Sequence, residues 1–92
     1  MIIRIMGQGQ FNVPSSLFDE LNAVDNKIVD HVSKGDEDNF RNDLFTLISM
    51  IKQNGDPVGD EEIVESDIIV PPDDLTLAEA KEVFSGQGIF ED

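Results

Sequence analysis

MIIRIMGQGQFNV, residues 1–13, predicts a β-hairpin, and this element sets the class of fold. The apolar run Met1–Met6 is followed by the turn Gly7–Gln10 and by a second run, Phe11–Val13. Because glycine tolerates positive φ, a Gly-x-Gly spacing between two apolar runs favours a tight turn between two strands. Pro14 then ends the second strand, since proline cannot donate to a ladder.

Downstream of the hairpin, helical periodicity predicts two amphipathic helices, over residues 16–34 and 36–54. The apolar stripe of the first helix consists of Leu17, Leu21, Val24, Ile28 and Val32. The polar residues that fall mostly on its other faces are Asp19, Glu20, Asp25, Asn26 and Asp30. The stripe of the second helix consists of Phe40, Leu44, Leu47, Ile48 and Ile51, with Phe45 beside it. So short a connection predicts that the helices pack antiparallel as a helical hairpin.

Capping signals place the ends of these helices. Ser16 and Asp19 resemble a capping box at the start of the first helix, and Gly35 follows its end. Asp36 is the predicted N-cap of the second helix, because its carboxylate can accept a hydrogen bond from a free backbone N–H of the first turn.

Residues 55–75 are predicted to form an acidic loop that contains one short strand. The run Ile68–Val70 is β-branched, and Pro71 ends it. We interpret this run as a third, edge strand that pairs with the hairpin.

The C-terminal part, residues 76–92, is predicted to form a short helix and a tail. Thr76 and Glu79 make a capping-box pattern at the start of this helix. Together, these elements predict a single α+β domain over residues 1–92, in which the N-terminal β-hairpin packs on the antiparallel helical hairpin.

Composition limits the kinds of site that the chain can hold. Its 92 residues, 39% of them hydrophobic, suffice for one modest core. The absence of cysteine excludes disulfides, thiolate nucleophiles and cysteine zinc sites. No apolar run reaches the ~18–20 residues that span a bilayer, and a strand that starts at residue 1 leaves no room for a signal peptide. We therefore expect a cytoplasmic protein without direct membrane insertion.

Charge is the second strong feature of the sequence. Twenty acidic residues against six basic ones give a net charge of −14 and a pI near 4.1. Such a surface repels nucleic acid and anionic lipid, but it can steer the chain toward a basic protein partner. Solubility or adaptation to a salty cytoplasm explains the same charge, and the sequence leaves these explanations open.

Two loops resemble ligand-binding motifs, and both fail at a required position. Gly7 and Gly9 lack the third glycine of a dinucleotide loop, because that position is Asn12. The acidic run that starts at Asp36 lacks the glycine of an EF-hand loop, because that position is Arg41. We therefore expect no cofactor-binding and no metal-binding residue.

Catalytic groups are also missing from the pattern. His31 is the single histidine, so one chain holds no catalytic triad and no histidine metal pair. It falls in the last turn of the first predicted helix, where a histidine interacts favourably with the helix C-terminus, which is a structural role. We predict no catalytic residue and no enzyme activity.

The face of the hairpin is the candidate partner-binding surface. Alternation places Ile3 and Ile5 on one face of the first strand. Arg4 has two interpretations, as a solvated side chain that pairs with local acids or as part of a docking face. The candidate partner-binding residues are Arg4, Met6, Gln8, Gln10 and Phe11.

Short motifs follow one another in a recognisable order along nearly the whole chain. They are MIIRIMGQGQF (1–11), LNAVDN (21–26), GDE (35–37) with Phe40, GDPV (55–58), SDIIVPPD (66–73), TLAEA (76–80) and GI (88–89). In this order the chain resembles the PspA-associated proteins, PspAA, a family of small, acidic, cytoplasmic proteins encoded beside the phage-shock protein PspA. Each motif alone has low specificity, so the resemblance depends on their order.

The resemblance implies a non-enzymatic partner of PspA, which is a helical, oligomerising protein that binds and remodels stressed membranes. It implies a regulatory or assisting role in envelope stress, with membrane contact made through the partner, and it transfers no catalytic residue. We expect an adaptor that binds a PspA-like protein through the hairpin face or an acidic helix face. The alternative is a small ligand-binding or divalent-ion-binding sensor that uses the acidic loop Asp56–Asp67. Pairing of an edge strand across a homodimer is left open.

Overall fold

The computed structural model describes residues 1–59 and 64–84, and these form an α+β domain with one mixed sheet. The strands are β1 (Ile2–Ile5), β2 (Gly9–Asn12), β3 (Asp56–Pro57) and β4 (Ile68–Val70). The helices are α1 (Phe18–Ser33), α2 (Glu37–Asn54) and α3 (Leu77–Val83). The sheet has the order β3-β2-β1-β4, so β1 and β2 form its centre.

The predicted hairpin is confirmed. The strands β1 and β2 pair antiparallel, and the Gln8 N–H donates to the Ile5 carbonyl across the turn at 2.9 Å. Gly7 and Gly9 have φ of 85° and 99°, which a residue with a side chain rarely adopts. The register sets Ile3 opposite Phe11, and both point to the helices.

The helical hairpin is confirmed as well, and it covers one face of the sheet. Gly35, with φ of 71°, ends α1, and the Asp36 carboxylate caps α2 by accepting the Asn39 N–H at 3.3 Å. The core between the sheet and the helices includes Ile3, Ile5, Phe11, Val13, Leu21, Ile28, Phe40, Leu44, Leu47, Ile51 and Val70. The two-layer arrangement leaves the opposite face of the sheet without a helix among the described residues.

The start of α1 differs from the prediction. Residues Ser15–Leu17 form a 3₁₀ turn, and α1 begins at Phe18 without a side-chain cap, so the capping box predicted from Ser16 is wrong. The reason is local, because the Leu17 N–H donates to the Pro14 carbonyl and the Phe18 N–H to the Ser15 carbonyl. The backbone of the 3₁₀ turn thus satisfies donors that a serine cap serves elsewhere.

The buried stripe of α1 also differs by one position. Asp25, predicted to lie on an outer face, is fully buried, whereas Val24 is only half-buried. The residues buried along α1 are Leu21, Asp25, Ile28 and Val32, spaced by four, three and four. This spacing is as helical as the predicted one, so periodicity alone could not distinguish them.

The predicted edge strand is confirmed, and a second edge strand is added. The strand β4 pairs parallel with β1, with Ile68 beside Ile3 and Ile69 beside Arg4. At the other edge, Asp56–Pro57, predicted as a loop, pairs with β2 as the two-residue strand β3. Proline is tolerated at this edge position because no further strand needs its missing N–H.

A close contact explains how α2 leads directly into β3. Gly55 follows α2, and a Cβ atom built at this position would lie 2.7 Å from the Ile51 carbonyl oxygen and 3.2 Å from the Phe11 Cβ. A side chain there would therefore collide with the backbone of the last helical turn. Glycine lets the end of α2 approach the sheet.

The C-terminal helix is confirmed with its capping box. The Thr76 hydroxyl accepts the Glu79 N–H, and the Glu79 carboxylate accepts the Thr76 N–H, both at 3.2 Å. Phe84, just after α3, packs edge-to-face against Phe40 of α2 with ring centroids 6.4 Å apart. The acidic cluster predicted at Asp60–Glu62 and the tail over 85–92 lie outside the described residues.

Candidate partner-binding surface

The structure distributes the candidate binding residues over three places. Arg4 and Gln10 are cross-strand neighbours on the face of the sheet that points away from the helices, and Met6 continues the alternation of β1 on that face. Gln8 lies in the turn and lines a groove beside α2. Phe11 is only 9% exposed and belongs to the core, because it lies one position from Gln10 on β2. Partner binding by any of them stays a prediction.

The outer sheet face, which we define as Ile2, Arg4, Met6, Gln10 and Ile69, combines three apolar side chains with the polar pair Arg4 and Gln10. Ile69 is 56% exposed and Met6 is 47% exposed, while Ile2 is half-buried. Paired residues of adjacent strands point to the same face, so Gln10, Arg4 and Ile69 form one row across β2, β1 and β4. Arg4 therefore has the half-buried Ile2 and the exposed Met6 two positions away along the chain, and the exposed Ile69 beside it on β4.

One side of the outer sheet face is already covered. The Gln10 side-chain amide donates to the Val64 carbonyl at 3.0 Å and to the Ser66 hydroxyl at 2.8 Å. These hydrogen bonds hold the segment that leads into β4 against the β2 side of the face. Arg4 on β1 and Ile69 on β4 remain exposed beside it.

Arg4 is one of the cations that form no ion pair among the described residues of this acidic chain. On the helices, Lys34 pairs with Asp30 at 3.0 Å and Arg41 pairs with Glu37 at 3.6 Å. Within residues 1–59 and 64–84, Arg4 makes neither an ion pair nor a side-chain hydrogen bond. An exposed guanidinium thus stands without an acid partner in this part of a chain whose net charge is −14.

A concave surface lies beside α2. Its volume is about 510 Å³, and it is lined by Gln8, Phe45, Ile48, Ser49, Lys52, Gln53 and Asp73. The Lys52 ammonium donates to the Gln8 side-chain carbonyl at 2.7 Å, which joins α2 to the hairpin turn. Phe45 is 65% exposed, so this aromatic ring lies at the surface of the groove.

His31 has a structural role between the two long helices. Its Nδ1 lies 2.5 Å from a carboxylate oxygen of Asp43, and both side chains are partly buried between α1 and α2. The predicted structural role thus involves the neighbouring helix. Within the described residues, no nucleophile is placed beside this imidazole by a hydrogen bond.

Two carboxyl groups of the described residues have lowered pKa values and belong to helix caps. Hydrogen bonds from the Asn39 side chain and backbone lower the pKa of Asp36. The Thr76 backbone N–H, followed by its hydroxyl, lowers the pKa of Glu79. Both shifts have their cause in hydrogen bonds that stabilise helix starts.

Acidic groups of the loop were the basis of the ion-sensor interpretation. Asp67 is used structurally, because its carboxylate accepts the Ile2 N–H at 2.8 Å. Across residues 1–59 and 64–84, no three acidic or histidine side chains are grouped in a way that could hold a metal ion. The cluster Asp60–Glu62 is not among these residues, so the sensor interpretation stays a prediction.

Sequence reasoning missed two exposed apolar residues of these surfaces. Ile69 was predicted in a strand, but its place beside Arg4 depends on the parallel register with β1, which no local signal encodes. Phe45 was predicted beside the buried stripe of α2 and is instead exposed. A stricter helical projection could have found Phe45.

Comparison with known proteins concerns the whole chain. Its residues 1–92 match a protein-family model, PspAA, described as PspA-associated protein. Searches of curated proteins and of solved structures returned no match. None of the helices in the described part of the chain is long and apolar enough to cross a membrane.

Proposed function

Because the chain belongs to the PspAA family, the PspA-associated proteins, we propose that it is a non-enzymatic adaptor or regulator that binds a PspA-like protein. The binding takes place in the cytoplasm as part of the envelope stress response. The chain reaches the membrane through its partner, which is the membrane-remodelling component.

The outer sheet face is the observation that carries this proposal. Ile69 and Met6 are about half exposed on it, whereas the residues on the opposite face of the same strands are buried under α1 and α2. A sheet face that remains in water is normally polar, and contiguous exposed apolar side chains mark interaction sites. We therefore assign partner binding to this face.

The net charge of −14 supports a protein partner with a basic surface. Long-range attraction raises the rate of association of oppositely charged proteins, and salt screens it over about 8–10 Å. The same charge disfavours direct binding to nucleic acid or to anionic lipid.

Co-elution with a purified PspA-like protein from the same organism tests the proposal. The full chain should co-elute with it at low salt, and high salt should weaken the complex. The variant Ile69→Asp should bind at least tenfold more weakly. Its matched control is Val83→Asp, which puts the same charge on an exposed apolar position of α3.

Circular dichroism should show both variants folded, because neither side chain belongs to the core. Failure of the wild-type chain to co-elute at low salt would overturn the proposed function. Equal loss of binding in both variants would contradict the assignment to the outer sheet face.

A further inference from the structure

We propose that Arg4 selects the partner, and that the partner segment is an amphipathic helix whose apolar stripe carries a carboxylate that binds the Arg4 guanidinium. This inference rests on the proposed function and names the chemistry of the surface that covers the outer sheet face.

Arg4 lies between the apolar residues of the outer sheet face, so a partner that covers these residues also contacts Arg4. Ile2 and Met6 lie two positions to either side of it, which is about 7 Å along a strand. Ile69 is its in-register neighbour on β4, at about the 4.8 Å spacing of adjacent strands. Any partner that contacts all three apolar side chains also covers the guanidinium.

Covering an unpaired guanidinium with apolar surface is strongly unfavourable, since the lost hydration has to be replaced by an acceptor. No carboxylate within residues 1–59 and 64–84 pairs with Arg4, and Asp67 beside it is bonded to the Ile2 N–H. In this proposal the acceptor comes from the partner. A carboxylate suits this role because it binds the planar guanidinium through two parallel hydrogen bonds.

The shape of the open area fits a helix. Val64 and Ser66 are held against Gln10 on the β2 side, whereas Arg4 on β1 and Ile69 on β4 are exposed. Two neighbouring strands with their side chains present a strip about 10 Å wide, which matches the ~10–12 Å diameter of a helix. Helices packed on a sheet are also a standard layer arrangement, and here one face of the sheet has such a layer already.

Charge argues against a second copy of this chain as the occupant. Two copies, each with a net charge of −14, would repel each other, and the Arg4 of one copy would face the Arg4 of the other. A partner helix with basic flanks is attracted by the net charge of −14. An acidic residue at one position of its apolar stripe pairs with the Arg4 guanidinium. The two requirements together describe the segment to look for in the partner.

Binding measurements with full-length proteins test the inference. The affinity of the PspA-like protein is measured for the wild-type chain, Arg4→Glu and Arg4→Met, with Lys27→Glu as a control of equal charge change on α1. We expect Arg4→Glu to weaken binding about 100-fold, or ~2.7 kcal/mol at 25 °C. We expect Arg4→Met to weaken it about tenfold, and Lys27→Glu to change it by less than threefold.

A charge swap identifies the partner residue. Each Asp or Glu within an apolar stripe of the partner is changed to Arg and tested against Arg4→Glu. One of these partner variants should bind Arg4→Glu at least tenfold better than the wild-type partner does. Thermal melts of the Arg4 variants should match the wild type, because Arg4 is exposed and pairs with no described residue.

The outcomes separate the two proposals. If the wild-type chain binds no PspA-like protein, the proposed function fails, and this inference fails with it. If the wild-type chain binds and Arg4→Glu binds equally well, only the inference is overturned. Light scattering that shows a dimer which Arg4→Glu dissociates would also overturn it, because a second copy would then be the occupant.

Discussion

The inner and outer faces of the sheet share the strands β1 and β2, but the inner face is apolar and buried, whereas the outer face carries polar as well as apolar side chains. On the inner face, Ile3 lies opposite Phe11, and both are buried against the helices. On the outer face, at the next pair of the register, Arg4 lies opposite Gln10, and Arg4 is exposed. Side chains of adjacent strand positions point to opposite faces, so a single register places one set in the core and the other on the outer sheet face, to which we assign binding as a proposal. Substitutions on the two faces should therefore have separable effects.

The largest effect is expected from a substitution in the core on the inner face. Ile5→Ala removes a fully buried side chain and should lower the free energy of unfolding by about 2–5 kcal/mol. Ile69→Ala, its counterpart on the outer face, should change it by less than about 0.5–1 kcal/mol, because this side chain is largely exposed. Urea titrations of both variants measure the difference. Equal losses would show that the outer face also contributes to the core.

The second prediction concerns Asp25, a polar residue buried with the core on α1. Asp25 is fully buried on α1, and every buried side-chain N or O atom in the described residues has a hydrogen-bond partner. Asp25→Ala should lower the free energy of unfolding by about 1–3 kcal/mol, since the hydrogen bonds of a buried side chain are lost. The control Asn26→Ala changes an exposed neighbour. A loss no larger than that of the control would contradict the expected role of the buried carboxylate.

A third prediction sharpens the boundary of the outer sheet face. Gln10→Ala removes the hydrogen bonds to Val64 and Ser66, and should cost about 1 kcal/mol of stability. Amide hydrogen exchange at residues 64–66 should become faster, while exchange in α1 and α2 stays unchanged. Uniform acceleration along the chain would mean that Gln10 affects global stability instead of this local contact.

The smallest expected effect is the pH dependence of the helix caps. The pKa values of Asp36 and Glu79 lie below the ordinary 3.8 and 4.5, so their stabilisation is complete above about pH 4.5. It is lost as the pH falls through the lowered values, when the carboxylates become protonated in the folded state. Thermal melts of the wild type and of Asp36→Asn/Glu79→Gln should differ above pH 5 and converge toward pH 2. A difference that is constant with pH would rule out this titration.

Local signals were sufficient for most elements of the fold. The Gly-x-Gly turn predicted the hairpin, Asp36 predicted the start of α2, and Thr76 with Glu79 predicted α3. Each of these signals acts within about four residues and depends on backbone hydrogen bonds near a turn or a helix end. Such contacts form in the same way whatever the rest of the chain does.

The features that sequence could not supply depend on distant contacts. The two-residue strand β3 contains a proline and has no strand pattern of its own, so only its pairing with β2 defines it. Asp25 was placed on the wrong side of α1 because a shift of one residue leaves the helical spacing intact. For the candidate surface, alternation identified Arg4 and Met6, but Phe11 proved to be a core residue and Ile69 required the register of β1 with β4.

The parallel pairing of β1 with β4 also determines when in folding the outer sheet face is complete. Ile2 and Asp67, which bond at the start of this pairing, are 65 residues apart in the chain, so the ladder closes a long loop and belongs to the slow, non-local part of folding. During synthesis the ribosome delivers β1 early and β4 only after both long helices. Arg4 and Ile69 become neighbours only when β1 and β4 have paired. A partner that contacts both side chains would therefore bind the folded chain and would not bind nascent or partly folded chains.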